Sequence, residues 1–160
     1  MNAASPPGVI RLALRIPDAW ATARGELGVA YYTAAFDLGI DALKQAVGID
    51  EAYRRAARRS TVALEAHIVF LAGVPAGAEI LIDSRIVDRD AKRLHVAQRM
   101  QYGELLAATR ESMTIGFDLE ARRSCAFEPA VFARIETLYA AQAALPVHVA
   151  AELLGVGRVT

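Results

Sequence analysis

Apolar residues recur along this chain in two rhythms, and the change from one to the other divides it. Residues 9–16 are mostly β-branched and aliphatic and are closed by Pro17, which predicts a short first strand. Residues 18–28 hold Trp20, Arg24, Gly25, Glu26 and Gly28, the makings of a loop that turns before a helix. From Val29 the gaps become three and four. Val29, Tyr32, Phe36, Ile40, Leu43 and Val47 form one stripe of an amphipathic helix, which Gly48 ends. Asp50 then caps a short helix whose C-terminal half carries Arg54, Arg55, Arg58 and Arg59, where they complement the helix dipole.

After Ser60 the period drops to two. Val62, Leu64, Ala66, Ile68 and Phe70 make an apolar face, and Ala63, Glu65, His67 and Val69 a mixed one. Gly73, Pro75 and Gly77 turn the chain. Ile80, Ile82 and Ile86 mark the next strand, Leu94, Val96 and Met100 a third, and residues 105–117 a fourth. Four consecutive strands with short connections predict an antiparallel meander. Glu128-Pro129 opens a last helix with Val131, Ile135, Leu138 and Tyr139 inward, and Pro146 begins a tail that reads as a further short helix. One amphipathic helix and one sheet with a greasy face have each other as partners. The expected architecture is α+β, an antiparallel sheet curled round a long central helix.

Composition narrows the function. The 160 residues are 54% hydrophobic and suit one domain over 1–160, with a core at about 9–129 and a C-terminal helical segment at 128–155. Mean hydropathy is +0.26, which excludes disorder for the bulk of the chain. Lys plus Arg equals Asp plus Glu at 18 each, so no global charge draws the chain to nucleic acid or an anionic membrane. No apolar run reaches the length of a membrane span, and no signal peptide is expected. The single cysteine, Cys125, suits a reducing compartment, and a cytoplasmic location is expected.

Three stretches carry a family resemblance: WATARGELGVAYYTAAFD from Trp20, TVALEAHIVFLAGVPAG from Thr61, and DAKRLHVAQRMQYGELLAATRESM from Asp90. Together with the element order they resemble the hot-dog fold acyl-CoA thioesterases, in the 4-hydroxybenzoyl-CoA thioesterase branch and the subgroup similar to betainyl-CoA thioesterases. The resemblance implies hydrolysis of an acyl thioester, usually an acyl-CoA with a short or polar acyl group. It also implies a homodimer with two sheets joined edge to edge, extensible to a tetramer, and no cofactor beyond the coenzyme A of the substrate. The family's loop commonly reads Asp, two variable residues, Gly-His, one residue, Asn. Laid on this chain, those positions are Thr22, Gly25, Glu26 and Gly28, so only the glycine is kept. The rival reading is a hot-dog protein that has lost hydrolysis and serves as an acyl-CoA-binding or regulatory module.

With Thr22 a poor base on its own, Glu26 is the candidate catalytic carboxylate, and Gly25 and the following helix start are the candidate oxyanion site. The plain alternative for Glu26 is an acidic residue stabilising a helix N-terminus. Glu65 and His67 share one strand face and read either as a pocket wall with an acid–base pair or as a cross-strand network with Asp83, Arg85, Arg93, His95 and Arg99. Glu111 reads first as a structural ion pair. Trp20, Tyr31 and Tyr32 are candidates to hold a quaternary ammonium by cation–π attraction, with core packing as the alternative. Arg58, Arg59, Lys92 and Arg93 are candidates for coenzyme A phosphates, or are solvated. His67, His95 and His148 lie on separate elements, and no metal site is expected.

Overall fold

A computed structural model describes residues 8–143; the tail expected beyond Pro146, with His148, lies outside the described residues. The chain runs β1 (Ile10–Arg15), a 3₁₀ turn (Asp18–Trp20), α1 (Val29–Ala46), α2 (Glu51–Ala57), β2 (Arg59–Phe70), β3 (Glu79–Arg89), β4 (Arg93–Tyr102), β5 (Leu105–Asp118), β6 (Arg123–Ser124) and α3 (Pro129–Gln142). No helix among the described residues is long and apolar enough to cross a membrane.

The sheet is antiparallel in the order β1-β3-β4-β5-β2, with β6 added on β5. Only β3, β4 and β5 form a meander, which corrects the four-strand expectation. β2 leaves its neighbour in sequence and pairs with β5, because the 71–78 connection is long enough to cross the end of the sheet. The crossing is tied down where it starts, Leu71 and Ala72 both donating to the Ala107 carbonyl at 2.9 and 3.1 Å. A second correction lies inside β2. Its register slips between Ala63 and Glu65, so Val62 opposes Ile115 on one face while Ala66, Ile68 and Phe70 oppose Ser112, Arg110 and Ala108 on the other. The unbroken alternation expected over residues 62–70 is therefore split, and Leu64, at the bulge, is 56% exposed.

α1 lies across the inner face of the sheet, over β1, β3 and β4. Tyr32, Ala35 and Phe36 pack with Ile80, Ile82, Met100 and Ala108. Ile40, Leu43 and Val47 continue with Ile86, Leu94 and Val96, where Val131 and Ile135 of α3 join them. Each large side chain buried here contributes about 1.5–3 kcal/mol. The helix comes close enough for sheet side chains to bond its backbone. Gln98 Nε2 donates to the Phe36 carbonyl at 2.9 Å and to Ser84 Oγ at 3.0 Å, and Ser84 Oγ donates to the Gly39 carbonyl at 3.3 Å.

Asp50 caps α2 as expected, accepting the Tyr53 amide at 2.8 Å. The helix is shorter than the arginine run: it ends at Ala57, Arg58 takes a left-handed φ of 54°, and Arg59 opens β2. At the far end of the chain, Gln142 closes α3 with a buried side chain. Its Oε1 accepts the Ile86 amide at 2.9 Å and its Nε2 donates to the Gly8 carbonyl at 2.6 Å. β1 pairs with β3 only as far as Ser84, so Gln142 supplies the acceptor that β3 lacks beyond that point. Leaving such a buried amide unpaired costs about 1–3 kcal/mol.

Candidate functional site

The loop before α1 is laced to the crossing connection. Leu27 donates to the Val74 carbonyl, Ala76 to the Gly25 carbonyl and Ile16 to the Ala78 carbonyl, each at 2.8 Å, and Glu26 is bridged to Pro75. Within the loop, the Thr22 amide donates to the Glu26 carbonyl at 2.7 Å and Gly25 to the Thr22 carbonyl at 2.9 Å. Gly25 sits at φ 77°, where any other residue is strained. Gly28 then donates to the Trp20 carbonyl at 2.9 Å and starts α1 with no side-chain cap and no acidic residue in the first turn. An eighteen-residue helix thus presents its partly positive N-terminus without a competing side chain of its own.

Glu26 is exposed, and its carboxylate is turned toward Gly73. A Cβ on Gly73 would stand 2.8 Å from Glu26 Oε1, so the absence of a side chain there is what admits the carboxylate. Tyr32 lies under it. Its hydroxyl donates to the Ala72 carbonyl at 3.3 Å, and burial first, with the nearby Glu26 charge adding to it, holds the phenol above its ordinary pKa. A carboxylate against Gly73, a phenol on the Ala72 carbonyl and a helix start with no side-chain cap thus all lie at the N-terminal end of α1. A carboxylate can deprotonate a water, and free amides at a helix start can stabilise developing negative charge.

The other candidates are distributed differently. Thr22 Oγ1 accepts the Arg24 amide at 3.3 Å, so its hydroxyl serves the turn. Glu65 and His67 do not reach this site. In β2 they oppose Met113 and Glu111, on the face away from α1, and with His95 and Glu111 they border a shallow depression of about 180 Å³. There His95 Nε2 lies 3.1 Å from Glu111 Oε1, the structural pairing expected for Glu111 rather than a network through Glu65 or His67. The three rings do not form a cage: Trp20 and Tyr31 stack on each other at 5.2 Å, while Tyr32 is buried and meets Phe70 edge-on at 5.1 Å. Adjacent helix positions point about 100° apart, which is why Tyr31 and Tyr32 part company.

Among the basic residues, Arg59 is paired with Glu128 at 3.3 Å and Arg93 with Asp90 at 2.6 Å. Arg54 and Arg55 share Glu51. Arg58 and Lys92 are exposed. Among the described residues no group of three or more His, Cys, Asp or Glu converges as a metal site would require. Two features near these elements are not marked by the sequence pattern. Gly73 reads there only as a turn residue, although it lies on the segment laced to the loop. Arg110 and its partner Asp37, 2.6 Å apart, were not singled out. The signal was present: Arg110 shares parity with Ala108, Ser112 and Thr114, the inward side of β5.

Comparison with known proteins places the chain by family and by fold. Residues 18–135 match the model of the thioesterase-like superfamily. A betainyl-CoA thioesterase of Pseudomonas aeruginosa is 36% identical over 143 residues, 88% of this chain and 86% of that protein. An L-carnitine dehydrogenase/betainyl-CoA thioesterase of Ruegeria pomeroyi is 32% identical over 86% of this chain, which spans only 28% of that longer protein. In fold, a Staphylococcus aureus protein solved in complex with CoA superposes with a TM-score of 0.82 at 22% identity, covering 91% of this chain and 92% of that one.

Proposed function

We propose, from the premise that this chain belongs to the thioesterase-like superfamily, that it hydrolyses an acyl-CoA whose acyl group is short and polar, with Glu26 as the base that activates water. The observation that supports this reading most is the Glu26 carboxylate set against Gly73 beside the uncapped start of α1. Water attacks the thioester carbonyl as Glu26 takes its proton. The tetrahedral oxyanion is stabilised by the amides at the helix start, and its collapse releases the thiolate of coenzyme A and the free acid. No cofactor enters the proposal. A betaine-like acyl group is favoured by the similarity to the Pseudomonas protein.

The proposal extends to a homodimer through β2. Residues 63–67 of that strand are exposed, and among the described strands it has a neighbour on one side only. Two copies pairing antiparallel there extend one sheet through both. The same pairing sets the start of one β2, with Arg58, beside the end of the other, with Phe70 and the Glu26 loop, and so supplies a cation to the coenzyme A phosphates. A reducing, cytoplasmic setting is also part of the proposal and rests on the free Cys125.

The test is thiol release from a panel of short, aromatic and betaine-like acyl-CoAs. Turnover of at least one supports the reading; release from none moves the assignment to a binding module, which the threonine at position 22 would suit. A second variant probes placement alone. Gly73→Ala pushes a methyl against the Glu26 carboxylate, whose flexible side chain can swing away. Stability is expected to stay within about 0.5 kcal/mol, while kcat falls roughly tenfold to a hundredfold as the base is displaced by an ångström or so. Unchanged kcat would detach Glu26 from the reaction.

A further inference from the structure

The mechanism above makes no use of Arg110, a buried cation on the inner face of β5. It is 3% exposed, and its Nη1 donates to Asp37 Oδ1 on α1 at 2.6 Å. We infer that the Asp37–Arg110 pair is the far wall of the acyl site and sets the length of apolar chain the enzyme accepts. The inference rests on the thioesterase reading and adds its specificity element.

Along one flank of α1, Ala30, Thr33 and Asp37 are exposed at spacings of three and four, so they form a single row, with exposed Val29 at its start. The inner face of β2 is tied to this part of α1 at two points, Phe70 against the Tyr32 ring and Ile68 opposite the Arg110 that holds Asp37. There Phe70 is 48% exposed, and Ile68 and Ala66 follow it. On the helix side, the strip from the Glu26 loop towards Asp37 carries the small side chains of Ala30 and Thr33. It then meets charge, because Ile68 stands directly opposite Arg110 across the ladder. From Val29 to Asp37 the helix rises roughly 12 Å, about the length of an extended ten-carbon chain.

What lies at that point is polar in depth. Gln98 is the cross-strand neighbour of Arg110 on β4, and Ser112 is two residues along β5. Gln98 Oε1, Arg110 Nε and Ser112 Oγ are all buried without a hydrogen-bond partner. A longer alkyl chain would have to strip water from the Asp37 carboxylate and gain nothing from these atoms. A short or polar acyl group stops before them or bonds to them.

The experiment measures kcat/KM for acetyl-, hexanoyl-, decanoyl- and palmitoyl-CoA with wild type and with the double variant Asp37→Leu/Arg110→Met. Both charges are removed together, since removing Asp37 alone would leave the Arg110 cation buried without its partner. The decanoyl-to-acetyl ratio is expected to rise at least tenfold. A folded double variant with an unmoved ratio, or a wild type that cleaves decanoyl-CoA as well as acetyl-CoA, overturns the inference. Thr33→Trp gives an independent reading if the double variant does not fold. It fills the strip one turn nearer the loop and is expected to lower the hexanoyl-to-acetyl ratio tenfold; no change overturns the inference. A wild type that releases thiol from no ester at all overturns the thioesterase reading, and this one with it.

Discussion

Glutamine in place of Glu26 is expected to lower kcat for thiol release by about 10²- to 10⁴-fold, the usual contribution of a positioned general base. The amide has the same shape and keeps hydrogen-bonding capacity, so the change removes charge and basicity alone. The fold has no reason to follow. Glu26 is held by its backbone, through its carbonyl to Thr22 and its bridge to Pro75, and neither contact involves the carboxylate. KM is expected to change little, because the groups proposed to bind coenzyme A lie elsewhere. Steady-state kinetics on the best acyl-CoA, with the thermal midpoint measured alongside, decides the matter. Activity within twofold of wild type would return Glu26 to the role of an ordinary acidic residue beside a helix terminus.

The largest expected effect on stability is at Gly39. Alanine in the middle of an exposed helix would gain about 1 kcal/mol over glycine. Here its methyl would lie 2.6 Å from Gln98 Nε2, 2.8 Å from Ile82 Cγ2 and 3.1 Å from Ser84 Oγ. Ile82 is fully buried and has no direction in which to yield. Overpacking of this kind costs about 1–3 kcal/mol, and displacing Gln98 from the Phe36 carbonyl adds about 1–3 kcal/mol for buried polar groups left unmade. The balance is a loss of about 3 kcal/mol, read as a lower urea midpoint with an unchanged slope. Equal stability of the two proteins would mean that α1 stands farther from β3 than these distances say.

Much of this was legible because burial imposes a period. The α1 stripe, β1 to β5 and the start of α3 all announce their buried faces by spacing and agree to within about three residues, whereas the two-residue β6 is too short to carry a period. Strand order was not legible in the same way. Nothing in residues 71–78 says whether the chain folds back beside β2 or crosses the sheet, because glycine and proline permit both. The bulge at Leu64 was hidden by composition: Ala63, Leu64 and Ala66 are apolar on either parity, so a slip of one residue leaves no trace in the pattern. The site was legible by halves. Glu26 and the loop stand out by their place before the helix, and the family resemblance pointed there too. Glu65 and His67 attracted attention as chemistry, yet pairing across the sheet decides which face they serve, and that pairing is not written in β2 alone. Cation pairing raised the converse problem at Arg110, whose inward parity was plain but whose partner lies on another element.

The two borders of the sheet are not equivalent, and this bears on how far association can run. β1 is six residues long, carries Arg11 and Arg15, and is followed after Ile16 by Pro17. Beyond its reach, the margin of β3 is stoppered by the Gln142 amide. β2 is twelve residues long, with exposed Leu64 and Phe70. A sheet that is adhesive along both borders recruits copies without limit and ends in fibres. One that is adhesive along a single border has nothing left to offer once two copies have met, so the dimer proposed through β2 would be self-terminating, with the short first strand as its blunt outer border.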